Sequence, residues 1–242
     1  AVNAFANDLY DRLVAVDPSA NLVFSPASIA IALAMTSAGA KGTTLTEMDD
    51  VLNITDAAAI HRSVNGLTMA LESMNKTQDN TAQGGSGTSE VKLSIANSLW
   101  GQSGLPFEQA FLDLLSSEYD AGLEVVDYKA DPEAARVAIN EWVKSETNDR
   151  IPELLGQGSI TQDARLTLVN AIYLKANWDA KFDKQLTTAE PFNAPSRTTT
   201  VQLMHSSGRL DYAAGDGWQA VELPYVFGDM SFVGAMGDTA GT

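Results

Sequence analysis

Few residues of this sequence have the types and spacings that catalysis requires. The chain has two histidines, His61 and His205, which lie far apart on different kinds of element. A Ser-His-Asp site needs a histidine beside a nucleophilic serine, and no G-x-S-x-G turn is present to offer one. Ser73 and Lys76 match the S-x-x-K pattern of penicillin-binding enzymes, but the accompanying S-D-N and K-T-G elements are missing. The sequence therefore predicts no enzyme, and an S-x-x-K hydrolase remains only as an alternative.

Metal ions and cofactors are not predicted either. The sequence has no cysteine, and its histidines and carboxylates do not recur at the spacing of metal ligands. The glycine-rich stretch at 84–87 follows no strand and opens no helix, so it is typical of a linker and not of a phosphate-binding loop.

The chain is strongly acidic. It carries 15 Lys and Arg against 31 Asp and Glu, which gives a net charge of −16 at pH 7. Such a surface repels phosphate backbones and anionic lipids, so we expect neither nucleic acids nor membranes as partners. The apolar run after Pro26 covers about 13 residues, which is shorter than the roughly 20 that span a bilayer.

Helical patterns crowd the first half of the chain. Apolar residues at helical spacing predict four helices, at 3–16, from Pro26 to Gly39, at 44–52 and from 57 to about 74. We expect Ser25 to cap the second helix and Thr43 or Thr44 to cap the third. Residues 22–24 predict a short buried strand between the first two helices.

Strand patterns dominate the second half. Residues 75–90 are polar and glycine-rich and predict a surface connection. Beyond it we predict a strand at 91–100, helices at 107–119 and 131–148 with a strand between them, a long strand at 165–178, and short strands from 185 onward. The strand at 165–178 is apolar on both faces, so we expect it in the middle of a covered sheet. This order, without a βαβ or solenoid repeat, predicts an α+β fold.

One polar residue interrupts the long apolar strand. Asn170 shares a face with Leu166, Leu168, Ile172 and Leu174, so its amide is expected to be buried. A buried amide without partners costs about 1–3 kcal/mol, so hydrogen-bond partners are required. Candidate partners are two serines, Ser25 and Ser28, at the start of the helix of small residues.

Several segments resemble the serpin family. The stretch NLVFSPASIAIALAMTSAGAKGTTLTEM is similar to the helix buried behind the main sheet of that fold, and AINEWVKSETNDRIPELL to the helix that crosses the face of the sheet. LTLVNAIYLKANWDAKFD is similar to its third strand, and TAEPFNAPSRTTTVQLMHSSGRLDYAA and WQAVELPYVFGDMSF to the strands beyond. The match is to the N-terminal portion of a prokaryotic-type member. It implies one serpin-like domain over 1–242, with helices packed on a large mixed β-sheet plus further antiparallel sheets.

The resemblance implies a suicide inhibitor of serine or cysteine endopeptidases that needs no cofactor. In serpins a protease cleaves a reactive loop, stays bound as an acyl-enzyme and is deformed when the loop inserts into the main sheet. The residues that match the moving parts are Ser25, Ser28 and Asn170 in the shutter, Trp178 in the breach, and Asn140 and Trp142 in the crossing helix. A purely static packing role stays open for each of them.

In the family's architecture the reactive loop follows the segment that ends at Gly241 and Thr242. The reactive bond is therefore not expected in this chain, and a truncated domain is predicted. The alternatives are a non-inhibitory serpin with a binding or chaperone role, or an inactive fragment. We also expect a monomer prone to polymerisation, and an extracellular rather than a cytoplasmic location.

Overall fold

The computed structural model describes residues 2–81, 87–194 and 197–237. The helices in these residues are α1 (Val2–Val16), α2 (Pro26–Ser37), α3 (Thr43–Val51), α4 (Ile60–Glu72), α5 (Gln109–Tyr119) and α6 (Pro132–Glu146). The strands are β1 (Lys76–Asp79), β2 (Thr88–Gln102), β3 (Leu123–Val126), β4 (Leu166–Ala176), β5 (Thr188–Ala194), β6 (Arg197–Leu203), β7 (Asp211–Gly215), β8 (Trp218–Pro224) and β9 (Ser231–Gly237). Most of the glycine-rich stretch at 84–87, predicted as a linker, lies outside the described residues.

The contacts divide the chain into two compact units. The first, which we call the helical unit, consists of Ala1–Glu72 and Leu93–Tyr173, and the second, the hairpin unit, consists of Ser73–Lys92 and Leu174–Thr242. The prediction of one domain over 1–242 remains a prediction. No described helix is long and apolar enough to cross a membrane.

Strand β2 organises the sheet of the helical unit. Its last residues pair in parallel with β3, and α5 forms the crossover between these two strands. On its opposite edge β2 pairs with β4. The Gln102 N–H donates to the Arg165 carbonyl at 2.9 Å, and Asn97 meets Asn170 further along, so β2 and β4 run antiparallel.

The two faces of this sheet are covered by different helices. On one face the small residues of α2 pack closely, with Ala30 and Ala34 buried beside Val64 of α4 and against Ile95 of β2. On the other face α6 buries Ile139 among other apolar side chains of the sheet. Helix α6 starts where predicted because the Asp131 carboxylate accepts the Ala134 N–H at 2.9 Å and Pro132 occupies the first turn.

The hairpin unit is built from antiparallel pairs. Strand β1 pairs with the first residues of β2, β5 pairs with β6, and β7, β8 and β9 form a three-stranded sheet. The strands β5 to β9 confirm the short strands predicted from 185 onward. The strand β1 was not predicted, because its sequence, KTQD, is polar and lacks the alternation on which strand prediction depends.

Two local predictions near the N-terminus were wrong. Residues 22–24 form no strand, and Val23 is 99% exposed, since no described strand lies beside it to supply hydrogen bonds. Helix α3 starts after Gly42, whose φ of +62° only glycine adopts freely, and neither Thr43 nor Thr44 provides a side-chain cap. A backbone turn at Gly42 therefore replaces the predicted threonine cap.

The predicted covering of the long strand is incomplete on one face. Val169 and Ala171 are buried against α6, whereas Leu166, Ile172 and Leu174 on the other face are 41%, 39% and 44% exposed. Among the described strands only β2 pairs with β4. The strand is therefore an edge of the described sheet, and its apolar sequence alone does not distinguish an edge from a central position.

Candidate functional site: the centre of strand β4

The start of α2 places two serines differently. The Ser25 hydroxyl accepts the Ser28 N–H at 3.3 Å and caps the helix as predicted. Ser28 lies one turn further along and is completely buried. The capping bond thus fixes the first turn of the helix and with it the position of the Ser28 side chain.

Asn170 connects α2 to the sheet. Its amide nitrogen donates to the Ser28 carbonyl at 3.1 Å, to the Ser28 hydroxyl, and to the Asn97 side-chain oxygen at 2.6 Å. The amide is half-buried rather than fully buried, because its apolar neighbours on β4 are themselves partly exposed. The predicted contact with Ser28 is present, whereas Ser25 contributes only through the helix cap.

Asn97 is the member of this network that the sequence analysis missed. It lies opposite Asn170 on the neighbouring strand β2, so the two amides meet across the antiparallel pair. The sequence does contain a sign of this role. Asn97 lies on the same face of the strand as Ile95 and Leu99, and an amide on an apolar face needs a hydrogen-bond partner. The register that brings it to Asn170 could not be obtained from sequence.

Asn140 holds the segment that follows α6. Its side-chain oxygen accepts the N–H groups of Leu154 and Leu155 at 3.0 and 2.9 Å, and its amide donates to the Leu155 carbonyl at 2.9 Å. Arg136 donates to the same carbonyl at 2.6 Å. Asn140 is buried, and these bonds give both of its polar side-chain atoms a partner. They also hold the segment at Leu154 and Leu155 against α6.

Trp142 and Trp100 meet where α6 lies on the sheet. Their ring centroids are 6.4 Å apart with an interplanar angle of 76°, an edge-to-face arrangement. Trp142 thus joins the helix to β2 by packing. This contact requires only a static role for Trp142.

Trp178 belongs to an aromatic cluster in the hairpin unit. Its ring stacks on Tyr225 with centroids 4.6 Å apart and contacts the edges of Phe182 and Phe232 at about 6 Å. The Val226 N–H donates to the carbonyl of the preceding Asn177 at 2.9 Å. The cluster therefore attaches the end of β4 to the turn between β8 and β9.

The remaining candidate catalytic residues are occupied by structural contacts. Lys76, the lysine of the S-x-x-K pattern, forms an ion pair with Asp229. His61 meets the Tyr119 hydroxyl at 2.6 Å, and burial lowers the pKa of His61 while raising the pKa of Tyr119. Within the described ranges no group of three His, Asp or Glu side chains is suited to holding a metal ion.

The family model described as Serpin (serine protease inhibitor) matches residues 1–241, and the chain belongs to this family. An uncharacterized serpin-like protein of Methanosarcina acetivorans is 31% identical over 234 residues, which are 96% of this chain and 52% of that protein. Leukocyte elastase inhibitor A of Rattus norvegicus is 34% identical over 236 residues, which are 96% of this chain and 59% of that inhibitor.

A solved structure gives the same result for the fold. The chain resembles cleaved Serpin 42Da with a TM-score of 0.83 and 31% identity, over 97% of this chain and 60% of that one. The α+β serpin fold is thereby confirmed, and the archaeal relatives agree with a prokaryotic type. The chain spans between one half and three fifths of the length of these proteins.

Proposed function

We propose that the protein to which this chain belongs is a suicide inhibitor of serine or cysteine endopeptidases. A reactive loop outside these residues is cleaved and inserts as a new strand beside β4. Membership of the serpin family supports the inhibitor class, and the relative named as a leukocyte elastase inhibitor supports a serine endopeptidase as the first target to test.

The observation that carries this proposal is the hydrogen bonding of Asn170. No described strand pairs with the edge of β4 that faces away from β2, so that edge is available for an added strand. Asn170, in the middle of β4, is bonded to Ser28 behind the sheet and to Asn97 beside it. An inserting strand that displaced β4 over α2 would have to break these bonds, so Asn170 acts as the shutter that holds the sheet in register.

The helix behind the sheet suits this movement. Helix α2 presents Ala30, Ala32 and Ala34 as buried residues, whose short side chains interlock little with a strand that slides across them. Ser25 and Ser28 keep the first turn of α2 in place while the sheet moves. Static packing alone would be served as well by larger side chains, which would bury more apolar area.

The proposal also assigns roles to Trp178 and to helix α6. Trp178 is the breach residue, where the aromatic cluster at the end of β4 must loosen first. Helix α6 covers the sheet and must shift for a strand to enter, and Asn140 then keeps the segment at Leu154 and Leu155 attached to the moving helix. Trp142 sets the resting position of that helix through Trp100.

The test begins with the intact mass of the denatured protein from its native source. A polypeptide heavier than the 25.7 kDa of these residues supplies the segment in which the loop is sought. That protein is then incubated with leukocyte elastase and a panel of further serine and cysteine endopeptidases. We expect a complex that resists denaturing electrophoresis and a loss of protease activity at equal molar amounts. Cleavage without a stable complex, for every protease in the panel, would contradict the proposal and favour a binding or chaperone role.

A further inference from the structure

A cavity of about 280 Å³ opens beside β2 in the helical unit. Its floor is formed by residues 95–98 of β2, and its walls include the ends of α4, α5 and α6. The volume lies near the lower limit of ordinary ligand pockets, about 300–1,000 Å³, so a small or narrow ligand is required. The proposed loop insertion takes place at the edge of β4 that faces away from β2. The cavity lies beside β2, so the insertion does not use it.

No described strand pairs with the edge of β2 that forms the floor of the cavity. The Ser103 N–H donates to β3 at the Val126 carbonyl, at 2.7 Å, and the adjacent Gln102 N–H points the other way, toward β4. Because backbone groups alternate between the two edges of a strand, those of Ile95 and Asn97 point toward the β3 side. Strand β3 begins to pair only at Leu99, so no strand of the helical unit reaches these two residues. Their N–H and C=O groups form a template for an added extended segment.

The walls of the cavity are acidic. Four carboxylates line it, those of Glu72, Asp120, Glu124 and Glu146, and no Lys, Arg or His is among the described residues of the lining. None of the four forms an ion pair with a described residue. Their charges favour a cationic occupant and disfavour an acidic one.

The carboxylates are distributed over both faces of the sheet. Helix α4, which ends at Glu72, packs on the face that includes Ile95, whereas α6, which carries Glu146, packs on the face that includes Ala96. Successive side chains of an extended segment point to opposite faces. Two consecutive basic residues would thus each meet a carboxylate, and the Trp142 ring that also lines the cavity can accept a cation on its face.

We propose that this cavity binds an extended peptide segment of a partner protein that carries two consecutive basic residues. The segment adds to the edge of β2 at Ile95 and Asn97, and its basic side chains bond to Glu72 on one face and Glu146 on the other. This binding does not depend on protease inhibition.

The test compares two isomeric peptides on the full chain. Titration calorimetry is carried out with acetyl-Val-Lys-Lys-Val-amide and with acetyl-Lys-Val-Lys-Val-amide, which has the same composition and charge but directs both lysines to one face. We expect the second peptide to bind about tenfold more weakly, since it loses one of two charge pairs. Methylation of the backbone nitrogens of the first peptide should weaken binding similarly, because it removes the strand hydrogen bonds. Equal binding of all three peptides, or binding of none, would overturn the proposal.

Two double variants separate this site from the general acidity of the chain. Glu72→Gln with Glu146→Gln should weaken binding of the Lys-Lys peptide by about tenfold. Asp216→Asn with Glu222→Gln removes the same charge from carboxylates outside the cavity and should change binding by less than about twofold. An equal loss in both double variants would mean that only the net charge attracts the peptide, and the site would be rejected.

Discussion

Asn170 and Trp178 lie on the same stretch of chain but are held by different physics. Asn170 makes hydrogen bonds to Ser28 and Asn97, which depend on the identity of single atoms and on their direction. Trp178 is held by aromatic rings, of which Tyr225 is the stacked one, and such packing depends on volume and area. A hydrogen bond weakens steeply once its atoms leave the favourable distance and angle, whereas the energy of apolar packing changes gradually with the buried area. This difference is the basis for the roles that we propose, Asn170 as the gate and Trp178 as the point at which an inserting strand would begin.

The largest loss of stability is expected when the Trp178 ring is removed from the aromatic cluster. Trp178→Ala removes the ring that contacts Tyr225, Phe182 and Phe232, and for a half-buried tryptophan the free energy of unfolding should fall by about 2–3 kcal/mol. Chemical denaturation measures this loss. Trp218→Ala, at a tryptophan that is 45% exposed on β8, is the matched control and should cost less. If both variants lose the same stability, the cluster contributes no more than ordinary surface area.

A smaller substitution at the same position tests the breach role. Trp178→Phe keeps an aromatic ring beside Tyr225, so the free energy of unfolding should fall by only about 1 kcal/mol. In the longer protein that we propose to be an inhibitor, this change should alter the rate of loop insertion more than the rate of protease encounter. Stopped-flow fluorescence with a labelled loop distinguishes the two rates. Equal effects on both would assign Trp178 to packing alone.

A substitution of Asn170 that keeps the shape of its side chain but removes the hydrogen-bond donor should lower the free energy of unfolding. Asn170→Asp keeps the size of the side chain but places a carboxylate against the Ser28 carbonyl and the Asn97 oxygen, both of which are acceptors. We expect a loss of about 2 kcal/mol in the free energy of unfolding, because the donor is lost and like partial charges meet. Asn193→Asp is the control, since the Asn193 oxygen accepts the Thr198 hydroxyl and an aspartate oxygen can do the same. A comparable loss in the control would refute the donor role of Asn170.

Removal of the Asn170 amide tests the proposed gating role. Asn170→Ala leaves the Ser28 and Asn97 acceptors without their donor, so the free energy of unfolding should fall by about 1–2 kcal/mol. The freed sheet edge should also raise the fraction of polymer on mild heating, measured by native electrophoresis. A melting temperature and a polymer fraction equal to those of the wild type would show that the network has no gating role.

The contrast between the two regions also explains what the sequence could reveal. Period and capping predicted the six helices α1 to α6 and the strands β5 to β9 of the hairpin unit, because those features are local. The link between Ser28 and Asn170 was foreseen because a polar residue in an apolar strand needs a partner. Asn97 and the exposure of β4 were missed because both depend on which strands are neighbours. Local patterns carry no information about that register.

The smallest expected effect is a change of stability with pH. The hydrogen bonds of Asn170 should not contribute to it, because Asn170, Ser28 and Asn97 do not titrate in this range. His61 differs, since burial lowers its pKa, although Glu118 and Asp49 oppose the shift. An unfolded histidine has a pKa of about 6.5, so below that pH the unfolded state binds the proton more readily than the folded state. The free energy of unfolding should therefore decline as the pH falls from about 7 to about 5.

His61→Gln should flatten this decline, because glutamine keeps a polar contact to the Tyr119 hydroxyl but does not titrate in this range. Asn170→Ala should lower the curve by a constant amount and leave its slope unchanged. Denaturant titrations at closely spaced pH values measure both. If Asn170→Ala changed the slope as much as His61→Gln, the two sites would be coupled, and the polar network at the centre of β4 would have to sense the charge of a histidine on α4.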